Sequence, residues 1–446
     1  MSTDPRQIIA NSPMSRLQVI IVGITIALNA LDGFDVMSIS FASPGIAAEW
    51  GIDRAALGLV LSMELIGMAL GSIALGGVAD RIGRRPTIIG CLALMTVGMI
   101  MATTVTGLVQ LSVWRVITGL GIGGMLAAIN AVAAEFSSAK RKHLSVSLMS
   151  IGYPVGAVLG GLVARQLLLA YDWRSVFYFG AAVTAVLVPV VYFVVPESVD
   201  WLTRKQPVGA LDRINAAMSR MGHGVVKALP TLSADVRKGS IADIFAPAMV
   251  ATTAIVTAAY FFHITTFYFI VKWVPKIVAD FGFPPASAAG VLVWVNVGGA
   301  TGGAIFGLLT QRYSVKMLTI GVLVLSTVAV IVFGQTPPDL QQLSMVCLIA
   351  GFCTNAGIVG LYAIVAQAFP THVRAFGTGF TIGVGRGGAA LAPVIAGYLF
   401  NFGYPLSTVA LTMAFGSLVG AAVLTMLNLD SGRTVSISVP QPGQAR

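Results

Sequence analysis

The sequence predicts an all-α integral membrane protein whose twelve transmembrane helices form two halves of six. Of its 446 residues, 56% are hydrophobic and only 10% are charged, whereas about 25% of the residues of a soluble protein are charged. Apolar runs of about 17 to 25 residues, the length needed to cross a bilayer, recur along the chain. One long polar segment divides these runs into six and six.

The runs are numbered 1 to 12 in chain order. The first six are Leu17–Phe41, Ala56–Ala79, Pro86–Thr106, Leu108–Ala134, Leu144–Leu169 and Val176–Val195. The second six are Ala248–Val271, Ala288–Thr310, Leu318–Gly334, Leu343–Phe369, Phe376–Phe400 and Leu406–Leu427. They predict an N-terminal tail (1–16), a first half (17–195), a linker (196–247), a second half (248–428) and a C-terminal tail (429–446). Within the linker, 211–221 predicts a short amphipathic helix at the membrane surface.

The positions of the basic residues predict the orientation. Of the 27 Lys and Arg residues, most lie in the tails, in the linker and in the loops on that same side. Only Arg54, Arg174, Lys272 and Lys276 lie in or at the edges of the opposite loops. Because cytoplasmic loops are enriched in Lys and Arg, both termini are expected in the cytoplasm. The net charge of +10 is therefore explained by the basic cytoplasmic loops, and we expect no nucleic-acid partner.

Run 1 contains two aspartates, Asp32 and Asp35, in the segment ALNALDGFDVM at 27–37. Three residues apart, they face one side of a helix. A carboxylate at the bilayer centre costs roughly 2.5 to 3.5 kcal/mol on insertion scales and usually marks a function. Gly33 lets a substrate or a neighbouring helix come close. We therefore expect this helix to carry the proton in a proton-coupled transporter.

Run 4 contains Arg115, which is followed by spaced glycines in RVITGLGIGG at 115–124. An arginine in a membrane keeps its charge and needs an anionic partner. Asp32 or Asp35 is the expected partner, and one carboxylate could alternate between a proton and the guanidinium. The alternative is a static ion pair that only fixes helix packing. Glu64 in run 2 is expected to serve packing.

Run 11 reads GVGRGGAALAP at 383–393, with Arg386 among glycines that leave space around it. A guanidinium with room around it can bind a carboxylate through two parallel hydrogen bonds. The expected substrate-binding residues are Arg386, Tyr153, His263, Asn296 and Tyr362. Alternatives remain open for several of these residues: Arg386 could pair structurally, His263 could make a plain interhelical hydrogen bond, Asn296 could serve packing and Tyr362 could belong to the core.

The loop after run 2 reads GGVADRIGRRP at 76–86, and a weaker copy stands at 307–312 after run 8. Such a charge cluster can latch the cytoplasmic ends of the two halves, the alternative being a plain positive-inside loop. The predicted latch residues are Gly76, Asp80, Arg81, Gly83, Arg84, Arg85, Glu135 and Arg141. The three cysteines, Cys91, Cys347 and Cys353, have no metal-ligand spacing, and no metal site is predicted.

The 76–86 loop resembles the signature loop of the major facilitator superfamily. With run 1, Arg115, Glu135 and 383–393, it is similar to the aromatic acid:proton symporter family. The resemblance implies a transporter, not an enzyme, in the inner membrane of bacteria. It would import hydroxybenzoate, protocatechuate or gentisate with protons, without a cofactor beyond the proton gradient, as a monomer. It also implies functional roles for Asp32, Asp35, Asp80 and Arg115. Gln311 departs from the family pattern, which usually has Asp there.

Two alternatives come from the same superfamily. The segment PESVDWL at 196–202 resembles a signature of sugar or polyol:proton symporters, although Val199 replaces a proline and Asp200 an arginine. A neutral sugar does not require Arg386, whereas an anion does. Drug efflux is the third option, and the absence of a glycine-proline pair at 156–157 disfavours it.

Overall fold

The computed structural model describes residues 4–230, 241–247, 249–370 and 373–427. Twelve helices in these residues are long and apolar enough to cross a membrane, which confirms the predicted fold class. Six precede the linker: α2 (Arg16–Trp50), α3 (Arg54–Ile82), α4 (Arg84–Thr104), α5 (Leu108–Glu135), α6 (Lys142–Ala170) and α7 (Arg174–Val194). Six follow it: α10 (Val250–Asp280), α11 (Pro285–Leu309), α12 (Val315–Gln335), α13 (Leu340–Ala368), α14 (Arg374–Asn401) and α15 (Leu406–Thr425).

Three short helices and one 3-10 turn lie outside the bilayer-spanning set. They are α1 (Pro5–Asn11), α8 (Val199–Lys205), α9 (Ala210–Arg220) and the turn Ile241–Phe245. Helix α9 corresponds to the predicted amphipathic helix, and it buries Ile214 and Met218 and packs on α8. The predicted C-terminal tail and the middle of the linker, 231–240, lie outside the described residues.

The two halves repeat one packing pattern. In the first half α3 packs on α5, α2 packs on α6, and α4 contacts α5 and α7. In the second half α11 packs on α13, α10 packs on α14, and α12 contacts α13 and α15. Because the same neighbours recur in the same order, each half is one copy of a six-helix unit.

Helix α10 differs from its sequence prediction in a way that matters for the site. The apolar run was expected to end at Val271, with Lys272 at a loop edge. The helix instead continues through Lys272 and Pro275 to Asp280, and Lys272 is fully buried. The prediction was wrong because a lysine after an apolar run looks like a helix end, whereas this side chain has partners inside the protein.

The halves converge on one side of the molecule. We call the side that holds the linker the linker side, and the opposite side the far side. On the far side Arg54 at the start of α3 pairs with Asp280 at the end of α10, with 2.9 Å between nitrogen and oxygen. Below this pair, Gly58 of α3 lies against the Pro393 carbonyl of α14. Helix α6 packs on α11 across the same interface. The far side is therefore closed in this conformation.

Candidate functional site

Five ionisable side chains are buried together at the interface of the two halves. Asp32 is 2% exposed, and Asp35, Glu64, Arg115 and Lys272 are 0% exposed. The first four lie on α2, α3 and α5 of the first half, whereas Lys272 lies on α10 of the second half. Buried charges in a membrane protein need partners and commonly mark ion or substrate pathways. The pairing of these five side chains is therefore the central feature of the site.

Arg115 pairs with Glu64 and not with either aspartate side chain. Its guanidinium donates to the Glu64 carboxylate, to the Asp35 backbone carbonyl at 3.2 Å and to the Ser38 hydroxyl at 3.3 Å. The Phe177 ring covers it, with 5.2 Å from the guanidinium carbon to the ring centroid. The expectation that Asp32 or Asp35 binds Arg115 is thus wrong for this conformation, because Glu64 on the neighbouring helix fills that position.

Close packing of α3 on α5 brings Glu64 and Arg115 together. Gly67 and Gly71 of α3 lie against backbone carbonyls of α5, and Gly119 and Gly123 of α5 lie against backbone carbonyls of α3. Small residues four apart allow such close approach of membrane helices. Both helices run from the far side to the linker side. Glu64 and Arg115 therefore lie at the same depth, and each precedes the glycine pair of its own helix in the sequence. This shared pattern is the sequence signal that could have identified the pair.

Asp32 and Asp35 stand apart from this ion pair. None of their four carboxyl oxygens has a hydrogen-bond partner among the residues that the structure describes. Asp35 faces Gly180 of α7, where even a methyl group would lie within 3.2 Å of the carboxyl oxygen. Between the aspartates, Gly33 contacts the Tyr153 backbone carbonyl of α6. The glycine therefore serves helix packing, and both carboxyl groups remain without a hydrogen bond among the described residues.

Lys272 joins the two halves at this site. Its ammonium donates to the Val36 backbone carbonyl of α2 and lies 3.5 Å from the Glu64 carboxylate of α3. Glu64 is therefore shared between Arg115 of the first half and Lys272 of the second half. Neither Glu64 nor Lys272 was predicted as a site residue.

A cluster of tyrosines occupies the interface beside these charges. The hydroxyl groups of Tyr260 and Tyr362 lie 3.2 Å apart, and their ring centroids are separated by 5.6 Å. Tyr153 of the first half is close enough to Tyr268 of the second half for their side chains to interact. Arg386 is close enough to Tyr260 and Tyr268 to interact with them electrostatically. The structure thus groups the predicted residues Tyr153, Tyr362 and Arg386, and adds Tyr260 and Tyr268.

Arg386 reaches across the interface from α14 of the second half to α3 of the first half. Its guanidinium donates to the Met68 backbone carbonyl at 2.7 Å and to the Ser72 hydroxyl, both on α3. The surrounding glycines leave space on one side only: Gly383 has nothing within 4 Å, whereas Gly385 packs against Tyr260 and Gly388 against the Phe261 carbonyl. In this conformation one terminal nitrogen of the guanidinium is therefore bound to acceptors of the first half.

His263 does not face the central site. One ring nitrogen, Nε2, donates to the Thr354 carbonyl at 2.9 Å, and Nδ1 accepts from the Ser417 hydroxyl at 2.8 Å. Both contacts lie within the second half, between α10, α13 and α15. The expected substrate-binding role of His263 is therefore wrong: the residue fixes helix packing. The Asn296 amide donates to the Leu292 carbonyl of its own helix at 2.9 Å.

The expected latch forms a cluster at the linker side, but within the first half. Arg84 binds Asp80 at 2.7 Å and Glu135 at 3.1 Å. Glu135 also accepts a hydrogen bond from Ser198, whereas Arg141 is exposed at the start of α6. Arg81 is exposed as well, and Gly76 lies on α3.

The linker segment 196–202 completes this cluster. The Glu197 carboxylate accepts the backbone N–H of Arg84 at 2.9 Å, and the Trp201 indole donates to the Asp80 carbonyl at 3.0 Å. Gly83 has a φ of +112°, and a side chain there would collide with Glu197. Arg85 reaches the Tyr192 carbonyl. These contacts bind the linker to the first half.

Two repeated six-helix units with buried charges at their interface define the chain as a secondary transporter. The family model described as the Major Facilitator Superfamily matches residues 25–295 and 256–443. The chain therefore belongs to this superfamily, whose members transport solutes across membranes and are not enzymes.

Individual relatives match over nearly the whole length. The chain is 29% identical to the 4-hydroxybenzoate transporter PcaK of Pseudomonas putida over 431 residues, covering 95% of each chain. It is 25% identical to the gallate transporter of Pseudomonas putida over 409 residues, covering 90% of each. A crystal structure of a D-xylose-proton symporter superposes with a TM-score of 0.71 at 18% identity, covering 93% of this chain and 99% of that one. This last similarity concerns the fold alone.

Proposed function

We propose that the protein is a proton-coupled symporter that imports a small aromatic carboxylic acid by alternating access. The observation that carries the proposal is the pair Asp32 and Asp35, buried at the interface of the halves without hydrogen-bond partners among the described residues. An ionised carboxylate without a partner in such a site costs several kcal/mol. A protonated, uncharged carboxyl group is the form that such a buried site accommodates, which suits a residue that carries a proton through the closed interface.

The substrate class follows from the second part of the site. Arg386 supplies a cation, and the tyrosine cluster supplies aromatic faces and hydroxyl groups. Together they fit a flat aromatic ring with a carboxylate at one end and hydroxyl groups at the other. The names of the relatives, transporters of 4-hydroxybenzoate and of gallate, support the same class.

The transport cycle uses the two conformations of the interface. With the far side open, Asp32 or Asp35 takes up a proton and the substrate carboxylate binds near Arg386. The neutralised site then closes toward the far side, as in this conformation. Proton and substrate leave toward the linker side. Among the described residues, the cluster around Asp80 makes its ion pairs and hydrogen bonds within the first half and with the linker. We propose that it joins the halves at the linker side when the far side opens.

We include the orientation of the protein in the membrane and its cellular location in the same proposal. The concentration of Lys and Arg at the linker side supports a cytoplasmic location of the linker and both termini. The protein then lies in the bacterial inner membrane as a multi-pass monomer, and protons, the substrate and the lipid bilayer are its partners. The domain boundaries expected from sequence are retained in this scheme.

The sugar symporter alternative is less well supported. Glu197, Ser198 and Trp201 of the 196–202 segment bind Arg84, Glu135 and Asp80 at the surface. Their role is to fix the linker, and they lie outside the central site. Arg386 in that site favours an anion.

Internal pH of dye-loaded proteoliposomes tests the proposal. Separate additions of 4-hydroxybenzoate, protocatechuate, gentisate, an aliphatic acid, glucose and inositol would be compared, with empty liposomes correcting for passive acid leak. Acidification by aromatic acids alone is expected. Acidification by a sugar alone would contradict the proposed substrate class, and no acidification by any compound would contradict proton coupling.

A further inference from the structure

Lys272 is the one member of the buried charge cluster that belongs to the second half. Its ammonium is fully buried, and both of its ligands, the Val36 carbonyl and the Glu64 carboxylate, come from the first half. The neighbouring Trp273 is also buried and donates to the Pro393 carbonyl of its own half at 3.2 Å. Lys272 therefore reaches across the interface from a well-fixed helix.

These contacts can exist only while the far side is closed. Lys272 lies two turns below Asp280, which pairs with Arg54 at the far end of the interface. Opening the far side separates α10 from α2 and α3, so Lys272 leaves Val36 and Glu64. Glu64 keeps Arg115, because both residues lie in the first half on closely packed helices. Lys272 is then left without an anion.

An ammonium that lines a water-filled cavity with low-dielectric walls attracts anions from solution. Glu64 is held by Arg115, and neither aspartate carboxyl group is bound by Lys272, so the substrate carboxylate is the anion that remains available to Lys272. We infer that Lys272 is a second ligand of the substrate carboxylate when the far side is open, and that Glu64 competes for it when the far side closes. This inference rests on the proposed uptake of an aromatic acid.

The exchange gives a physical reason for substrate release. When the halves close on the far side, Glu64 and the Val36 carbonyl recapture Lys272, while the Met68 carbonyl and Ser72 recapture Arg386. Both cations of the second half thus regain partners from the first half in the same step, which weakens their hold on the substrate carboxylate.

The preference for the acid over its neutral amide tests the inference. Binding of 4-hydroxybenzoate and of 4-hydroxybenzamide would be compared in wild type, Lys272→Met, Lys272→Arg and Lys276→Met. Lys272→Met leaves Glu64 paired with Arg115, so no buried charge is orphaned. We expect it to reduce the preference for the acid at least about tenfold, as for loss of a charged hydrogen bond. Lys272→Arg should retain most of the preference, and Lys276→Met should retain all of it.

A structural role for Lys272 would weaken binding of acid and amide equally, and an unchanged preference in Lys272→Met would overturn the inference.

A second experiment needs no substrate. Lys272→Cys, in a background with Cys91, Cys347 and Cys353 replaced by Ala, would be treated with a membrane-impermeant thiol reagent from the far side. Modification is expected, and complete protection under all conditions would overturn the inference. Failure of the wild type to bind any aromatic acid would instead contradict the proposed function. The labelling experiment would still show whether position 272 becomes accessible from the far side.

Discussion

Asp32 and Asp35 differ from the other buried charges because neither carboxyl group has a hydrogen-bond partner among the described residues. Glu64 is the shared partner of Arg115 and Lys272, so its removal leaves two buried cations without their anion. Removal of an aspartate charge leaves no described partner without its contact. The aspartates are therefore the residues at which a proton can be gained or lost with the least structural consequence.

Asp32→Asn and Asp35→Asn should each abolish proton-driven accumulation while leaving the protein folded, because the amide cannot exchange the proton. Accumulation of radiolabelled 4-hydroxybenzoate in proteoliposomes with an imposed pH gradient measures this. Asp212→Asn, at an exposed position of α9, is the matched control and should accumulate substrate as the wild type does. Full accumulation by both site variants would exclude the aspartates as proton carriers.

Arg386→Lys should raise the half-saturation concentration for anionic substrates by about tenfold, the equivalent of one charge-assisted hydrogen bond. A lysine can hold the Met68 carbonyl or a carboxylate but lacks the planar fork that binds two acceptors at once. Initial rates of uptake over a range of substrate concentrations provide the measurement. Arg213→Lys, at an exposed position of α9, serves as the control, and an unchanged value for Arg386→Lys would remove Arg386 from the substrate site.

At the scale of the helix pair, glycine contacts decide where the charged residues stand. Gly156 of α6 lies so close to the Ala30 carbonyl of α2 that a side chain cannot be accommodated without separating the helices. Gly33 makes the reciprocal contact with the Tyr153 carbonyl. Because Asp32, Asp35 and Tyr153 lie on these two helices, separation of the pair would displace both the proton site and part of the tyrosine cluster.

Gly156→Ala should lower the apparent melting temperature in detergent, since overpacking typically costs about 1 to 3 kcal/mol. The matched control is Gly90→Ala in α4, where nothing lies within 4 Å of the added methyl group. That change should leave the melting temperature unchanged or raise it, because alanine favours helix over glycine. Equal melting temperatures for Gly156→Ala and the wild type would show that α2 and α6 tolerate a wider separation.

Apolar length and the linker were sufficient to predict the twelve helices and their division, because crossing a bilayer constrains the composition of every span. They were not sufficient to predict partners. The position of a residue along an apolar run indicates its depth in the membrane but not the direction in which its side chain points, because the rotation of each helix about its axis is unknown. For this reason Arg115 was assigned to an aspartate and His263 to the cavity. Lys272 was missed because a buried lysine and a lysine at a helix end have the same local sequence.

At the scale of the whole molecule, the far side is held closed by packing more than by charge. The Arg54–Asp280 pair is partly exposed, with 44% and 26% of the side chains accessible, and such pairs contribute about 0 to 1 kcal/mol. Beneath it, Gly58 and Gly397 allow α3 and α14 to approach at backbone distance. Arg54→Ala alone should therefore change the uptake rate only slightly.

Covalent closure of the same site should have a much larger effect. Arg54→Cys and Asp280→Cys, combined in a background without the native cysteines, place thiols on α3 and α10 at the far end of the interface. Joining them with a short, cleavable bifunctional thiol reagent should stop uptake, because the far side can no longer open, and cleavage of the reagent should restore it. Each single cysteine variant treated in the same way should retain uptake. Continued uptake by the cross-linked protein would mean that the substrate does not enter between α3 and α10, and would contradict alternating access through this interface.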